Sequence, residues 1–273
     1  MSAPWAAVLA LLAAPPEEEL RFWIENALVH HRFSPEEAAL AVGLGLDDLR
    51  RRAREEGIEG RRPPAPRPGE PLRVLPYPGG RHPRIGFLDG AVNPRRETKA
   101  SVFLPWEDGG YVVVDLPEAI HSDLGLLYLA HTHIPTIWDP KRIELPKLEW
   151  RRGAGGRLES MRVLPNGVAF GARVLPRPDG AEMDLWLRNG SEAPLSKLRV
   201  QVCGLLKGAR GFEAQTNDNK LTVNLPWGEA MAARSADGRR WIALLWERSR
   251  AWGNPPCPCL HSDPTFPDCP PGG

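Results

Sequence analysis

Two histidines separated by one residue are the sharpest chemical feature of the sequence. His131 and His133 lie in the segment LGLLYLAHTHIPTIWD, of which residues 126–134 are predicted to form a β-strand. Because side chains alternate across a strand, both imidazoles are expected on the same face. Two such groups could bind a divalent metal, or could supply an acid and a base near neutral pH. The alternative is that both are polar residues at a solvated or hydrogen-bonded strand end.

A second group of polar residues lies among turn-forming residues in segment 79–99, GGRHPRIGFLDGAVNPRRETK. So many polar groups on a loop shaped by glycine and proline suit hydrogen bonding to a hydroxyl-rich or anionic ligand. We predict that Arg84 or Arg96 counters charge that develops in a reaction, and that His82 and Lys99 bind substrate. The alternative is a surface loop whose charges pair with one another.

Three other regions supply candidate substrate-binding residues. The loop GFEAQTNDNK contains Asn217 and Asp218, whose polar groups can bind sugar hydroxyls, although an ordinary loop with Asx turns explains them as well. Trp138 offers a flat apolar face for a sugar ring, although most tryptophans of the chain are expected in the core. His261 lies in the proline-rich segment after Trp252, where a rigid backbone would hold it in a fixed position.

The four cysteines allow two interpretations. Cys203 is isolated, whereas Cys257, Cys259 and Cys269 lie together in CPCLHSDPTFPDC. In an oxidising compartment we predict a disulfide between Cys259 and Cys269, with Cys257–Cys269 as an alternative. In a reducing compartment the last three cysteines and His261 could instead bind zinc, although this spacing departs from the usual Cys-x2-Cys.

Helical patterns occupy residues 16–60. Residues 17–30 place apolar side chains on one stripe of a helix. The sequence Ser34-Pro35-Glu36-Glu37 has the form of a capping box and predicts the start of a second helix. A third helix is expected over residues 46–56, after a turn that Gly43 and Gly45 allow.

The order of these helices resembles a helix-turn-helix motif. Four basic side chains of the third helix would then face the phosphates of DNA, namely Arg50, Arg51, Arg52 and Arg54. Asp47 and Asp48 lie where such a helix approaches the bases, and acidic side chains there repel DNA. The sequence therefore argues against nucleic acid as a partner and leaves a three-helix packing unit as the alternative.

Residues 61–72 are a proline-rich segment without apolar periodicity, which predicts a linker. After the linker, short apolar or alternating runs predict strands at 111–115, 126–134, 168–174, 183–187, 198–202 and 241–246. Asn189-Gly190 is typical of a hairpin turn. Because almost no helical segment separates these strands, we expect residues 73–273 to form an antiparallel β-sandwich.

Composition agrees with this architecture. The 273 residues include 27 Gly and 30 Pro, which suit many short strands joined by turns better than a helical bundle, and 10 Trp that can fill a core. The net charge of +1 argues against a general nucleic-acid coat or a polybasic membrane binder.

The beginning of the chain bears on its location. The apolar run Trp5–Ala14 is too short to span a bilayer, and no other segment could span one. The run has the length of a signal-peptide core, so residues 1–15 are predicted to be a signal segment. We therefore expect a periplasmic or secreted protein. The alternative is a cytoplasmic protein whose first helix begins with an apolar run.

Four segments from Arg73 onward resemble a family of exported bacterial proteins, and this resemblance covers most of the chain. The segments are RVLPYPGGRHPRIGFLDGAVNPRRETK, YLAHTHIPTIWD, LPNGVAFGARV and WGNPPCPCLHSDPTFPDCPPG. The β pattern is also similar to the galactose-mutarotase-like supersandwich of aldose epimerases and many polysaccharide-processing enzymes. In epimerases two histidines, an arginine and a carboxylate act on the anomeric centre of a sugar. His131, His133 and either Arg84 or Arg96 are side chains of these types, although no epimerase motif maps onto the chain residue by residue.

Together these features predict a carbohydrate-active or carbohydrate-binding exported protein. If it is an enzyme, His131 and His133 would transfer protons and a divalent metal is an optional cofactor. The alternatives are a non-catalytic binding or scaffold module and a cytosolic, ligand-sensing regulator that uses the helix-turn-helix. The sequence contains no phosphate-binding loop, Rossmann fingerprint or Gly-x-Ser-x-Gly motif, so most nucleotide-dependent and α/β-hydrolase chemistries lack support.

Overall fold

A computed structural model describes residues 17–64, 67–79, 97–131, 134–214, 216–254 and 257–273. The chain divides into two compact units, residues 1–63 and residues 64–273. The described part is helical in the first unit and mainly β in the second, as the sequence predicts. Within these ranges, no helix has the length and apolar character needed to cross a bilayer.

The first unit contains three α-helices among its described residues: α1 (Glu17–Glu25), α2 (Pro35–Val42) and α3 (Leu46–Glu55). Helix α1 continues into a π-helical turn, Asn26–His30. The predicted capping box is confirmed, since Glu37 N donates to Ser34 Oγ over 3.2 Å and Ser34 N donates to Glu37 Oε2 over 2.9 Å. These bonds satisfy backbone donors that the first turn of α2 leaves unpaired.

The second unit contains fourteen strands among its described residues: β1 (Val74–Pro76), β2 (Lys99–Phe103), β3 (Tyr111–Ser122), β4 (Gly125–Leu129), β5 (Arg151–Arg152), β6 (Leu158–Val163), β7 (Val168–Arg177), β8 (Gly180–Asn189), β9 (Arg199–Leu205), β10 (Lys220–Leu225), β11 (Gly228–Arg234), β12 (Trp241–Leu245), β13 (Ser249–Gly253) and β14 (Cys259–Pro264). They form three antiparallel sheets. The largest has seven strands in the order β1-β2-β3-β9-β14-β13, with β4 also paired to β3. The others are β5-β6-β7-β8 and β10-β11-β12.

The apolar core lies on one face of the seven-stranded sheet. Side chains such as Val114, Val202 and Leu260 point to this face and belong to the same buried cluster as Phe170 of the four-stranded sheet and Leu244 of the three-stranded sheet. Burying these alternating residues against other sheets is what favours the sandwich.

Two local predictions differ from the structure. Asn189-Gly190 does not join a hairpin, because β8 and the following β9 belong to different sheets. The tight hairpin is instead between β7 and β8, where Arg177 pairs with Gly180. Strand β4 ends at Leu129 and not at residue 134, so His131 follows the strand and does not lie within it.

Candidate functional site

Five polar or aromatic side chains lie in one row across the seven-stranded sheet. Strand register pairs them in the order Lys99, Asp115, Cys203, His261 and Trp252. Directly paired residues of antiparallel strands point to the same side. Their sequence neighbours point into the apolar core, so the row lies on the opposite face.

A buried ion pair lies in this row. Lys99 Nζ donates to Asp115 Oδ1 over 2.7 Å, and both side chains are 0% exposed. Thr98 Oγ1 donates to the same oxygen over 3.2 Å. Burial alone would raise the pKa of Asp115, but the charge of Lys99 and the hydrogen bond from His131 outweigh it and lower this pKa to about 2. Asp115 is therefore a carboxylate at neutral pH.

His131 lies between two carboxylates. Its Nε2 is 3.2 Å from Asp115 Oδ2 and 3.3 Å from Glu118 Oε1. Burial and the charge of Lys99 act to lower the pKa of His131, but the two carboxylates outweigh them and raise it. The carboxylates therefore favour the protonated imidazolium.

An irregularity in β3 brings both carboxylates to this histidine. In a regular strand, residues three apart point to opposite faces. Here Asp115 pairs with Cys203 of β9, and Ala119 pairs with Gln201. Four residues along β3 therefore match two residues along β9, so β3 contains extra residues at this point. The extra residues allow Glu118 to reach the same imidazole as Asp115.

His131 also lines a cleft of about 460 Å³. The wall also contains four polar or charged residues, namely the half-buried Thr136 and the exposed Asp139, Arg142 and Glu144. Its apolar residues are the exposed Ile134 and Ile143 together with Leu129, Pro135 and Leu145. His131 therefore joins the cleft to the buried carboxylates behind it.

The network continues from Glu118 to two cysteines. Glu118 Oε2 is 3.8 Å from His261 Nδ1, and His261 Nε2 is 3.7 Å from Cys259 Sγ. Burial acts to lower the pKa of His261, but Cys259 and Glu118 outweigh it and raise this pKa. A hydrogen bond from Cys203 and the neighbouring His261 lower the pKa of Cys259 to about 5, whereas burial raises the pKa of Cys203 well above its usual value.

Contacts on the far side of His261 hold its ring. Trp252 stacks on the imidazole with ring centroids 3.8 Å apart and planes 11° from parallel. Trp252 Nε1 donates to Asp263 Oδ2 over 2.7 Å, while Val202 N donates to Asp263 Oδ1 over 3.0 Å. These bonds hold Trp252 in place, and the stacked Trp252 in turn holds the ring of His261.

The structure brings together three of the predicted site residues: His131, Lys99 and His261. Trp138 is instead a core residue, 3% exposed, whose Nε1 donates to Leu127 O. Asn217 and Asp218 lie in an exposed turn before β10. The Asn217 side chain lies beside Gly253, the residue after Trp252 of the row, and accepts a hydrogen bond from Lys220 Nζ over 3.2 Å. The remaining predicted residues lie outside the described residues, namely His82, Arg84, Arg96 and His133.

The predicted disulfide between Cys259 and Cys269 is not formed, and none of the four cysteines, all of them described, is in a disulfide. Cys259 pairs with Leu205 at one end of β9, whereas Cys269 pairs with Leu195 before its other end. Strand β9 (Arg199–Leu205) alone spans about 20 Å, whereas the Cα atoms of a disulfide lie within about 7 Å.

Asp115 and Glu118 are not among the site residues predicted from the sequence, and Cys203 has no predicted role there. One signal was available for the first two: acidic residues interrupt the apolar run YVVVDLPEAI, and a charge inside a buried strand requires a partner. Cys203 had no comparable signal, because only the register of β9 with β14 places it opposite His261.

In the helical unit, three of the four arginines considered for DNA binding form ion pairs with acidic residues of the same unit. The pairs are Arg50 with Glu36, Arg51 with Asp48 and Glu55, and Arg52 with Glu17. Such pairs reduce the positive charge that this helix could offer to a phosphate backbone.

Comparisons of the chain with protein-family models, with curated proteins and with solved structures find no match. The mainly β fold with three N-terminal helices is therefore known from the structure itself. The resemblance to exported proteins and to the mutarotase-like supersandwich stays a prediction.

Proposed function

We propose that the β unit is a carbohydrate-active enzyme in which His131 transfers protons to and from a substrate bound in the adjacent cleft. The observation that carries this proposal is the position of His131, which lines the cleft while two carboxylates contact it from behind. A histidine held in this way can act as general acid or base near neutral pH.

The charges around His131 support a proton-transfer role. Lys99 neutralises one of the two carboxylates, Asp115 and Glu118, and a proton on His131 balances the other. The imidazolium that forms when His131 accepts a proton is therefore stabilised by groups already in place. Asp115 and Glu118 are positioning residues, since they act through the histidine.

The lining of the cleft supports a sugar as the ligand class. The Glu144 carboxylate and the Arg142 guanidinium can bond to sugar hydroxyls. The Thr136 hydroxyl donates to Asp139 Oδ2 over 2.6 Å, and the other oxygen of Asp139 can accept from a sugar hydroxyl. The two isoleucines beside them can contact the apolar face of a pyranose. Residues 1–15 lie outside the described residues, and we include export to the periplasm or medium in the proposal.

The test uses the full-length protein and a panel of mono- and oligosaccharides, with turnover followed by NMR and binding by calorimetry. We expect at least one sugar to be converted by the wild type, and conversion to fall about 100-fold or more in His131→Asn, the usual size of a general acid–base contribution. His121→Asn is the matched control, because His121 is also a histidine of the same sheet but does not line the cleft.

Near-ultraviolet circular dichroism verifies that both variants are folded. A sugar that binds but is never converted would refute the enzyme and leave a binding module. Full activity of folded His131→Asn would refute the role of His131, and absence of any sugar binding would refute the ligand class. N-terminal sequencing of protein from periplasm and medium tests export, because a cleaved leader is then expected.

A further inference from the structure

Two thiols and an imidazole meet at one buried point of the seven-stranded sheet. The ligand atoms of Cys203, Cys259 and His261 all lie within 4.8 Å of one another. The three residues are 1%, 1% and 3% exposed. We propose that Cys203 Sγ, Cys259 Sγ and His261 Nε2 bind a zinc ion.

The strands place these three groups by simple geometry. Cys259 and His261 are two residues apart on β14, so their side chains share a face. Cys203 lies directly opposite His261 on β9 and diagonal to Cys259, on the same face. Two adjacent strands therefore hold all three ligands without any loop.

The spacing of Cys259 and His261 agrees with tetrahedral coordination. Zinc–sulfur bonds of about 2.3 Å and a zinc–nitrogen bond of about 2.05 Å at a tetrahedral angle put sulfur and nitrogen about 3.6 Å apart. The distance from Cys259 Sγ to His261 Nε2 is 3.7 Å. Cys259 and His261 are therefore already spaced to bind one metal ion, and the Cys203 ligand atom lies within 4.8 Å of both.

The surroundings of His261 are those of a metal-binding imidazole. Such an imidazole usually donates its second ring N–H to a carboxylate, which fixes the ring and increases its basicity. His261 Nδ1 faces Glu118 Oε2 at 3.8 Å, and both atoms are buried without a hydrogen-bond partner among the described residues. A small shift would form this bond, while Trp252 stacks on the ring and holds its plane.

The ligand set selects the metal and leaves one coordination position. Thiolate and imidazole ligands favour zinc over calcium or magnesium, which prefer oxygen. Three protein ligands leave a fourth position for water or for a substrate atom, as in catalytic zinc sites. The site requires neither a sugar nor His131, although Glu118 contacts both His131 and the ligand His261.

The experiment measures zinc in the full-length protein, purified under reducing conditions, by mass spectrometry before and after dialysis against a chelator and reloading with Zn²⁺ alone. We expect one zinc per chain in the wild type and loss of the bound zinc in Cys203→Ser and Cys259→Ser. Cys257→Ser and Cys269→Ser are the matched controls, because neither thiol belongs to the cluster, and both should retain one zinc.

Cobalt gives a second readout that does not depend on the variants folding. Wild-type protein loaded with Co²⁺ should show thiolate-to-cobalt charge-transfer absorption and the intense visible bands of a tetrahedral site. Glu118→Gln should retain these bands but weaken zinc binding about tenfold, as expected when the outer partner of a ligand is changed.

Three results would overturn the proposal. They are failure of the reduced wild type to bind Zn²⁺, an octahedral cobalt spectrum, and equal loss of zinc from the two control variants.

Discussion

Replacing Lys99 by methionine tests whether the polar row depends on its buried ion pair. Methionine has a similar length and no charge, so the substitution removes the cation and leaves the strand packing largely intact. Asp115, 0% exposed and 2.7 Å from the ammonium group, then loses its countercharge. Among the described residues it retains a hydrogen bond from Thr98 and the contact with His131.

The expected loss is large because the remaining carboxylate cannot reach water. Removing one partner of a buried ion pair typically costs about 3–5 kcal/mol. We expect Lys99→Met to lower the free energy of unfolding by about this amount. Asp115→Asn should cost a similar amount, since it leaves the ammonium group buried. The double variant should cost less than either single variant, because no unpaired charge then stays buried.

Equilibrium unfolding in urea, followed by tryptophan fluorescence, measures these free energies. Eight of the ten tryptophans lie in residues 64–273, so the signal reports mainly on the β unit. Lys147→Met is the matched control, because Lys147 is exposed and a surface change of this kind alters stability by less than about 0.5 kcal/mol.

The result that would refute this reasoning is a loss of less than about 1 kcal/mol in Lys99→Met. Strictly additive losses in the double variant would also refute it, because they would mean that the two charges do not interact.

Three other perturbations test different parts of the fold. Gly110→Ala should lower the free energy of unfolding by more than about 2 kcal/mol, because Gly110 has φ +75° and a Cβ there would lie 2.0 Å from Gly208 O. Gly238→Ala, at φ +73° with no atom within 4 Å, should cost only about 1 kcal/mol, and urea unfolding compares the two. Ser34→Ala should lower the free energy of unfolding of the helical unit by about 1 kcal/mol and accelerate hydrogen exchange at the start of α2 about fivefold. Ser34→Asp should retain the cap and exchange like the wild type. Equal exchange in the two variants would contradict this. The pKa of Asp115 falls from 3.8 in the unfolded chain to about 2 in the folded protein. The ionised carboxylate therefore stabilises the folded protein by about 2 kcal/mol above pH 4, and this contribution is lost as the pH falls towards 2. Unfolding measured between pH 6 and 2 should show this loss in the wild type, and the same slope in Asp115→Asn would contradict it.

Much of the local structure can be predicted from neighbouring residues. The capping box at Ser34 involves groups three residues apart, and the strand from Val168 to Val174 shows the alternation of a sheet with one buried face. Such features depend on short-range geometry, which the chain carries wherever the segment lies. The fold class follows from summing them, and the structure confirms it.

The candidate site is predictable only in part. His131 and His261 are polar residues in apolar or rigid surroundings, and that contrast marks them in the sequence. Lys99 is marked differently, as one of many polar residues among turn-forming residues. Trp138 could not be assigned from local sequence, since a tryptophan in the core and one that stacks on a sugar have the same sequence signal. Burial alone separates the two cases, and it depends on the whole sheet packing.

The residue types, the helix starts and the strand segments follow from local sequence, as does the division between a helical first part and a β second part. One row of side chains forms only when the sheet assembles, because strand register joins residues as far apart as 99 and 261. Its members include Lys99, Asp115, Cys203 and His261. The same pairing replaced the predicted Cys259–Cys269 bond with a cluster around Cys259. Long-range register is set by the packing of entire faces, and no local pattern specifies it.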